Sequence, residues 1–351
     1  MSGDTWGNVL AALIARQDLS YETAHWVMDQ VMNGEAEDAQ LGAFLGLMEA
    51  KGPSVIEVQG LADAMQGRAH PLDVPTDVVD IVGTGGDQAK TVNISTMASL
   101  VIASTDTPLV KHGNRASTSA CGSADVIEAL GVDLAAEPDD VAKVFDTIGI
   151  TFCFANLFHP SMRYAAATRR ALGFPTVFNI LGPMTNPARP RASAVGVAKE
   201  NWGALVSGVF ANRGTSALVF RGKENGLDEL TTTSINQLWE VHEGHITYLE
   251  LDACKEFSME PASLEDLRGA DAHYNAGVLR EIFNGKRGPI HDAVVLNAAA
   301  GIAAYGALPG TAPTDGDIIQ RLAAGLEIAR EAIDSGKTTD LLQRWVAIKG
   351  F

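Results

Sequence analysis

A β-branched run that empties into glycines constrains this chain more than any other segment. Val78-Val79-Asp80-Ile81-Val82 has the residue types of a buried strand, and Gly83-Thr84-Gly85-Gly86-Asp87 follows it at once. Similar short runs recur at Leu109-Val110, from Thr151 to Phe154, from Ala192 to Val197 and from Ala217 to Phe220. Helical stretches lie between them, around 95–104, 123–130, 138–148, 160–172 and 201–212. Such alternation predicts an α/β domain with a largely parallel central sheet, because parallel strands need crossovers long enough to hold a helix. Residues 230–250 predict a hairpin turning at Glu243-Gly244, and the stretch from Asp315 to Trp345 predicts helix.

The first seventy residues contain no strand-like run. Val9, Leu10, Leu13 and Ile14 recur with a helical period over 6–16, and Ala24, Val27, Met28, Val31 and Met32 do so over 21–33, with Gly34 placed to end the helix. A third helix is expected over 38–51, stopped by Gly52-Pro53, and Ser54 with Glu57 makes a capping box for a fourth running to about Gly67. The prediction is a small all-helical domain over 1–70, joined by a helical segment near 160–190. His70 to Pro75 is the linker, and the α/β domain covers 71–351. A length of 351 residues fits two domains.

Charge narrows the partners. With 26 Lys and Arg against 43 Asp and Glu, the net charge is −17, which repels a phosphate backbone and argues against nucleic acid. Any site for a phosphorylated substrate must then be basic locally. Cys121, Cys153 and Cys254 show no CxxC spacing, so a reduced, cytoplasmic setting is expected. The opening MSGDTWGNVLAAL lacks the basic region of a signal peptide, and its apolar run is too short for a membrane span. The apolar stretch from Leu296 to Ala304, broken by Asn297 and Gly301, reads as buried helix, so no membrane association is expected.

Four clusters carry chemistry. The glycines of Gly83-Thr84-Gly85-Gly86-Asp87 let a backbone approach a ligand and turn its N–H groups outward. Asn93-Ile94-Ser95-Thr96 then opens a helix, whose N-terminus suits phosphate. A tight turn and an N-cap are the plainer alternative, and neither a Walker loop nor GxGxxG is present. Lys111-His112-Gly113-Asn114-Arg115 is a compact polar site at the C-terminal end of a strand, where ligands of open α/β sheets gather; a solvated basic loop is the alternative. Ser117, Ser119, Gly122 and Ser123 extend it with small, hydroxyl-rich residues. His159-Pro160-Ser161-Met162-Arg163, with Arg169-Arg170 after it, offers guanidinium groups that could grip a carboxylate or simply face solvent. Asp228-Glu229 could hold Mg²⁺, which needs few protein carboxylates, or could be an ordinary solvated pair.

Taken together, GTGGD, NIST, KHGNR, GSADVIEALGV, FHPSMR, RRALG, TVFNILGPMTNPA and GLDELTT resemble the anthranilate phosphoribosyltransferase family in order and spacing. The likeness runs from the N-terminal helices to DAVVLNAAAGI, nearly the whole chain. The resemblance implies a helical domain beside an α/β domain, an active site in the cleft, a linker that flexes to close it, and a homodimer formed through the helical domain. It implies that Gly83, Gly86, Asp87, Thr91, Asn93, Ser95, Thr96, Lys111, Asn114 and Ser123 hold 5-phosphoribosyl pyrophosphate (PRPP). Gly83, Asn114 and Arg169 match positions that touch anthranilate, and Ser95, Asp228 and Glu229 match Mg²⁺ positions, with two ions implied. Asn156, Ala120-Cys121 and Thr168 depart from the usual pattern, around the matched positions and not at them.

The implied reaction breaks the bond from ribose C1 to pyrophosphate and makes a C1–nitrogen bond. Its transition state resembles a ribosyl cation leaving a diphosphate, so neutralising the leaving group is the main task. Mg²⁺, Lys111 and backbone N–H groups suit that task. A substrate that arrives with Mg²⁺ also answers the charge puzzle. No residue stands out as general base; His112 is the nearest candidate, beside a structural role in its loop. Three rivals remain. A phosphoribosyltransferase for another aromatic acid would use the same arginine, and a pyrimidine nucleoside phosphorylase would carry KHSTGG where this chain has KHGNR. A non-enzymatic nucleic-acid-binding relative fits the charge worst.

Overall fold

A computed structural model of the chain describes residues 5–116, 121–134 and 137–349. Ser117, Ser119 and Ala120 lie outside the described residues. Four helices come first: α1 (Trp6–Ile14), α2 (Tyr21–Met32), α3 (Asp38–Lys51) and α4 (Val55–Gly67). Ser54 and Glu57 form the capping box expected at the start of α4. The α/β part then runs β1 (Val79–Gly83), α5 (Ile94–Ala103), β2 (Leu109–Gly113), α6 (Ser123–Leu130), α7 (Pro138–Ile148) and β3 (Ile150–Phe154). Three helices, α8 (Ala155–Phe158), α9 (Arg163–Leu172) and α10 (Phe178–Leu181), return toward the N-terminal bundle, α9 lying on α2 and α3. The chain continues with β4 (Ala192–Gly196), α11 (Glu200–Arg213), β5 (Ser216–Gly222), β6 (Asn236–His242) and β7 (His245–Leu251). It closes with α12 (Ala253–Phe257), α13 (Ala272–Phe283), α14 (Pro289–Tyr305), α15 (Ile318–Asp334) and α16 (Lys337–Ala347). Among the described residues, no helix is long and apolar enough to cross a membrane.

The seven strands form one sheet in the order β3-β2-β1-β4-β5-β6-β7. The first five are mutually parallel; β6 and β7 complete the sheet as the hairpin expected at Glu243-Gly244. From β1 the chain first builds outward through β2 and β3, then returns to place β4 on the other side of β1. That reversal opens a crevice at the C-terminal ends of β1 and β4. β2 is longer than Leu109-Val110: it carries Lys111 and His112 into the buried sheet, so the solvated-loop alternative for these two residues does not hold.

Two apolar cores flank the sheet. One lies beneath α5 and α14, with Ile81, Ile94, Leu218 and Val295 among its members. The other is continuous from the helical bundle through α11 to the opposite sheet face, joining Phe44, Leu61 and Met65 to Val206, Phe210, Val195 and Val219. Polar contacts reinforce this junction. Arg213 of α11 pairs with Asp63 of α4 at 2.5 Å and donates to the Met184 carbonyl at 2.7 Å, and Lys199 pairs with Glu49 at 2.9 Å.

Candidate active site

The crevice between β1 and β4 is made by two glycines that face each other. Gly83 and Gly196 are register partners, and Thr84 N–H donates to the Gly196 carbonyl at 2.9 Å. The loop after β5 enters the space they leave. A Cβ on Gly83 would stand 2.4 Å from Asp228 Oδ2, and one on Gly196 would stand 1.7 Å from the Asp228 carbonyl oxygen. Glycine is thus required at both positions by the approach of Asp228. At Gly85 and Gly86 the reason differs: both have positive φ, 69° and 88°, which turns the loop back over the strand end.

Asp228 and Glu229 are buried, and each is met by a backbone N–H of the opposing wall. Asp228 Oδ2 accepts from Gly85 N–H at 2.7 Å, and Glu229 Oε1 from Ser95 N–H at 3.1 Å. The loop is anchored from below by Asn297 of α14, which accepts from Leu230 N–H at 3.1 Å and donates to its carbonyl at 2.8 Å. Burial pushes the Asp228 carboxyl well above its ordinary range, and the nearby charges of Asp87 and Glu229 push it the same way. Glu229 is raised to about 8, again by burial first, with Lys111 pulling the other way. Three carboxyls thus crowd one wall, and Asp228 shares a hydrogen bond with Asp87.

Lys111 faces them from β2. Its Nζ donates to the Ile81 carbonyl at 2.6 Å and lies 3.5 Å from Ser95 Oγ. Burial lowers its pKa, while Asp80 and Glu229 oppose the shift. Asp80 lies under the strand end, raised to about 6 by burial, accepting from His112 N–H at 3.1 Å and Asn186 Nδ2 at 2.9 Å. At the start of α5 the Asn93 side chain gives no cap and the Glu229 carboxylate takes the Ser95 N–H instead, while the buried Thr96 hydroxyl has no partner among the described residues. Across the crevice Ser123 Oγ donates to the Asn114 carbonyl at 3.2 Å. Lysine, a helix start and an unspent hydroxyl on one side, with crowded acids on the other, form a site for a polyanion carried with a hard cation. Asp228, Glu229, Asp87 and Ser95 Oγ are oxygen donors of the kind Mg²⁺ takes. Among the described residues no group of three or more His, Cys, Asp or Glu forms a ready-made cage, so water and substrate oxygens would have to complete the shell.

The other clusters divide. Arg169 is largely buried, lies 5.1 Å from the Phe178 ring centre, and pairs with no carboxylate among the described residues; burial alone lowers its pKa. Arg163 stacks on Tyr164 at 4.7 Å instead. Arg115 is spent on Glu128 and Asp125, at 2.5 and 3.0 Å. His112 points to the sheet face opposite Lys111, with Nδ1 3.0 Å from the Gly182 carbonyl and its ring 5.1 Å from that of His159. Burial holds its pKa down to about 3, with His159 adding to the shift. That geometry fits the structural alternative better than a general base. The sequence reading assigns no role to four residues that organise the site, Asp80, Asn186, Gly196 and Asn297, although Asn186 lies within TVFNILGPMTNPA and Asn297 within DAVVLNAAAGI. A charge inside a β-branched strand and an asparagine inside an apolar helix were the available signals for Asp80 and Asn297.

Fold and site together define a two-part glycosyltransferase. The chain matches the glycosyl transferase family, helical bundle domain, over residues 8–69, and the glycosyl transferase family, a/b domain, over residues 75–339. Anthranilate phosphoribosyltransferase of Arthrobacter sp. (strain FB24) is 49% identical over 347 residues, 99% of this chain and 97% of that protein. That of Leifsonia xyli subsp. xyli is 50% identical over 98% of both chains. The crystal structure of anthranilate phosphoribosyltransferase from Thermus thermophilus superposes with a TM-score of 0.87 at 38% identity, covering 97% of this chain and 98% of that one. A Saccharomyces cerevisiae enzyme of the same name, in complex with PRPP and Mg, shares the fold at a TM-score of 0.84, 24% identity and 98% coverage of both chains. The chain belongs to the anthranilate phosphoribosyltransferase family.

Proposed function

We propose that the family's reaction, transfer of the 5-phosphoribosyl group of PRPP to the amine of anthranilate in tryptophan biosynthesis, runs in the crevice between β1 and β4. The observation that carries this reading is the buried Asp228–Glu229 pair, crowded by Asp87 and set against Lys111 and the start of α5. Asp228, Glu229 and Ser95 hold Mg²⁺, two ions in the fullest form of the reading. When bound, the metal neutralises charge on the departing pyrophosphate. Gly83, Gly86, Asp87, Thr91, Asn93, Ser95, Thr96, Lys111, Asn114 and Ser123 hold PRPP, with Lys111 and backbone N–H groups facing the leaving group. Arg169, with Gly83 and Asn114, receives anthranilate; its guanidinium takes the carboxylate and aims the amine at ribose C1. The amine is neutral at pH 7, so orientation matters more than deprotonation. The division at residue 70 and a homodimer through the helical domain belong to the same reading.

The test mixes purified protein with anthranilate, PRPP and Mg²⁺ and follows the loss of anthranilate fluorescence. The expected loss requires PRPP and stops with EDTA. No loss from a folded protein, with turnover of another aromatic acid instead, would overturn the substrate assignment.

A further inference from the structure

Asn93 opens α5, yet its side chain caps nothing. Its carboxamide is used sideways: Nδ2 donates to the Cys121 carbonyl at 3.1 Å, and Oδ1 accepts from Asn275 Nδ2 at 2.8 Å. Asn93 ends the loop that follows β1, and Cys121 ends the loop that follows β2. Asn275 belongs to neither; it sits on α13 and is 1% exposed. Its own Oδ1 accepts from Ala270 N–H at 3.0 Å, and its carboxamide also reaches the Cys121 thiol.

We infer that Asn275 is a positioning residue for PRPP, fixing the direction of the Asn93 carboxamide and tying the two substrate loops together. The inference rests on the reading above in which Asn93 meets PRPP. A carboxamide has one donor end and one acceptor end. Ala270 N–H can be met only by the oxygen of Asn275, so the nitrogen of Asn275 faces Asn93. Asn93 must then present its oxygen there and its nitrogen to Cys121. Each bond sets the next, and reversing any one puts two donors or two acceptors face to face. The backbone around Asn275 is tied to the same loop: Val92 N–H donates to the Leu267 carbonyl at 2.9 Å, Gly269 N–H to the Lys90 carbonyl at 2.8 Å, and Thr91 bridges to Arg268. The segment from Leu267 to Asn275 is therefore the backing of the first loop. Arg169, by contrast, stands on α9 against Phe178, outside this network.

The experiment compares steady-state constants of the full chain with those of Asn275→Ala, Asn275→Asp and Asn93→Ala. Asn275→Ala is expected to raise the PRPP KM about tenfold while leaving the anthranilate KM within about twofold, the size of one lost buried hydrogen bond. Asn275→Asp gives a sharper readout. Neutral, its carbonyl meets Ala270 N–H and its O–H donates to Asn93, as the amide does; ionised, it sets an acceptor against an acceptor. The groups facing this point are the Cys121 thiol, with Asp125 of α6 and Asp271 at the cap of α13 acting on it, while Arg268 is committed to Glu265. Relative to wild type at the same pH, the PRPP KM of Asn275→Asp should therefore return toward normal on acidification, and that of Asn275→Ala should not. Wild-type PRPP KM values in both variants, or pH-independent rises equal for both substrates, would overturn the inference. If Asn93→Ala leaves the PRPP KM unchanged, the underlying reading of Asn93 fails; if Asn93→Ala raises it and neither Asn275 variant does, the positioning role alone fails. Should Asn275→Ala not fold, the acid return of Asn275→Asp decides the matter.

Discussion

Glu57 in the helical bundle and Glu229 in the crevice are both buried carboxylates, and they differ in what surrounds them. Glu57 accepts from Leu19 N–H at 2.8 Å and Ser54 N–H at 2.7 Å, and Lys51 Nζ sits 2.8 Å away. Glu229 has one backbone donor among the described residues, Ser95 N–H, and mixed neighbours: Lys111 and the Ser95 hydroxyl favour its charged form, Asp87 opposes it, and burial outweighs them. The cations repeat the contrast. Arg213 at the junction has Asp63 and a carbonyl, whereas Arg169 has an aromatic ring and no carboxylate among the described residues. Around the bundle, charges are closed off within the fold. In the cleft they are left incomplete, which costs folding energy and reserves the missing partners for ligands.

The comparison can be broken most decisively at the acids. Asp228→Asn with Glu229→Gln should lower Mg²⁺-dependent turnover by at least about a hundredfold, as loss of charge stabilisation at a leaving group does. Thermal melting should show the fold retained; unchanged turnover would remove the metal assignment. Arg169→Ala should raise the anthranilate KM by roughly ten- to a hundredfold, the range for one charged hydrogen-bonded pair. The PRPP KM should hardly move, and an equal rise in both would show that Arg169 is no carboxylate clamp. Glu57→Gln should do the opposite of the cleft variants, costing about 2–4 kcal/mol in denaturant unfolding while leaving activity per folded molecule intact. A matching loss of activity would blur the two regions.

The smallest effect concerns the two buried histidines. Burial first, helped in His112 by His159, holds their pKa values near 3 and 4, below an ordinary histidine. A depressed folded value means that the native state binds fewer protons than the unfolded chain. The stabilisation from the neutral rings is therefore full above the unfolded value, about 6.5, and is lost as pH falls toward the folded ones. His159→Gln should flatten the wild-type stability profile between about pH 6.5 and 4, by up to about 1.4 kcal/mol per pH unit. An unchanged slope would show that His159 plays no part in acid lability.

What was legible in the chain follows from the range of the forces involved. Helix caps, the glycine turn and the alternation of strands with helices are set by neighbours a few residues apart, so α3, the capping box of α4, the β6–β7 hairpin and the parallel sheet could all be read. Contacts between distant segments could not. The sequence offers no sign that Gly196 faces Gly83 around Asp228, that Asn275 meets Asn93, or that Asn297 holds Leu230. Strand ends are equally hidden: Lys111 and His112 read as a polar loop by type, yet both are inside β2, because the Ile81 carbonyl meets Lys111 and Asp80 and Gly182 meet His112, partners that only the fold brings near. GTGGD and Asp228-Glu229 could be singled out as chemistry, while the reason Gly83 must be glycine could not.

The apolar core that passes from the bundle through α11 to the sheet has a bearing on how the molecule comes apart. Phe210, Val206 and Trp202 are buried in that shared core, together with residues of the first four helices and of the sheet. Separating the two parts would expose a surface about as apolar as a domain interior, so neither is expected to persist without the other. Despite its two-part architecture, the protein should melt in one cooperative transition, and an α/β fragment lacking the bundle should aggregate on expression.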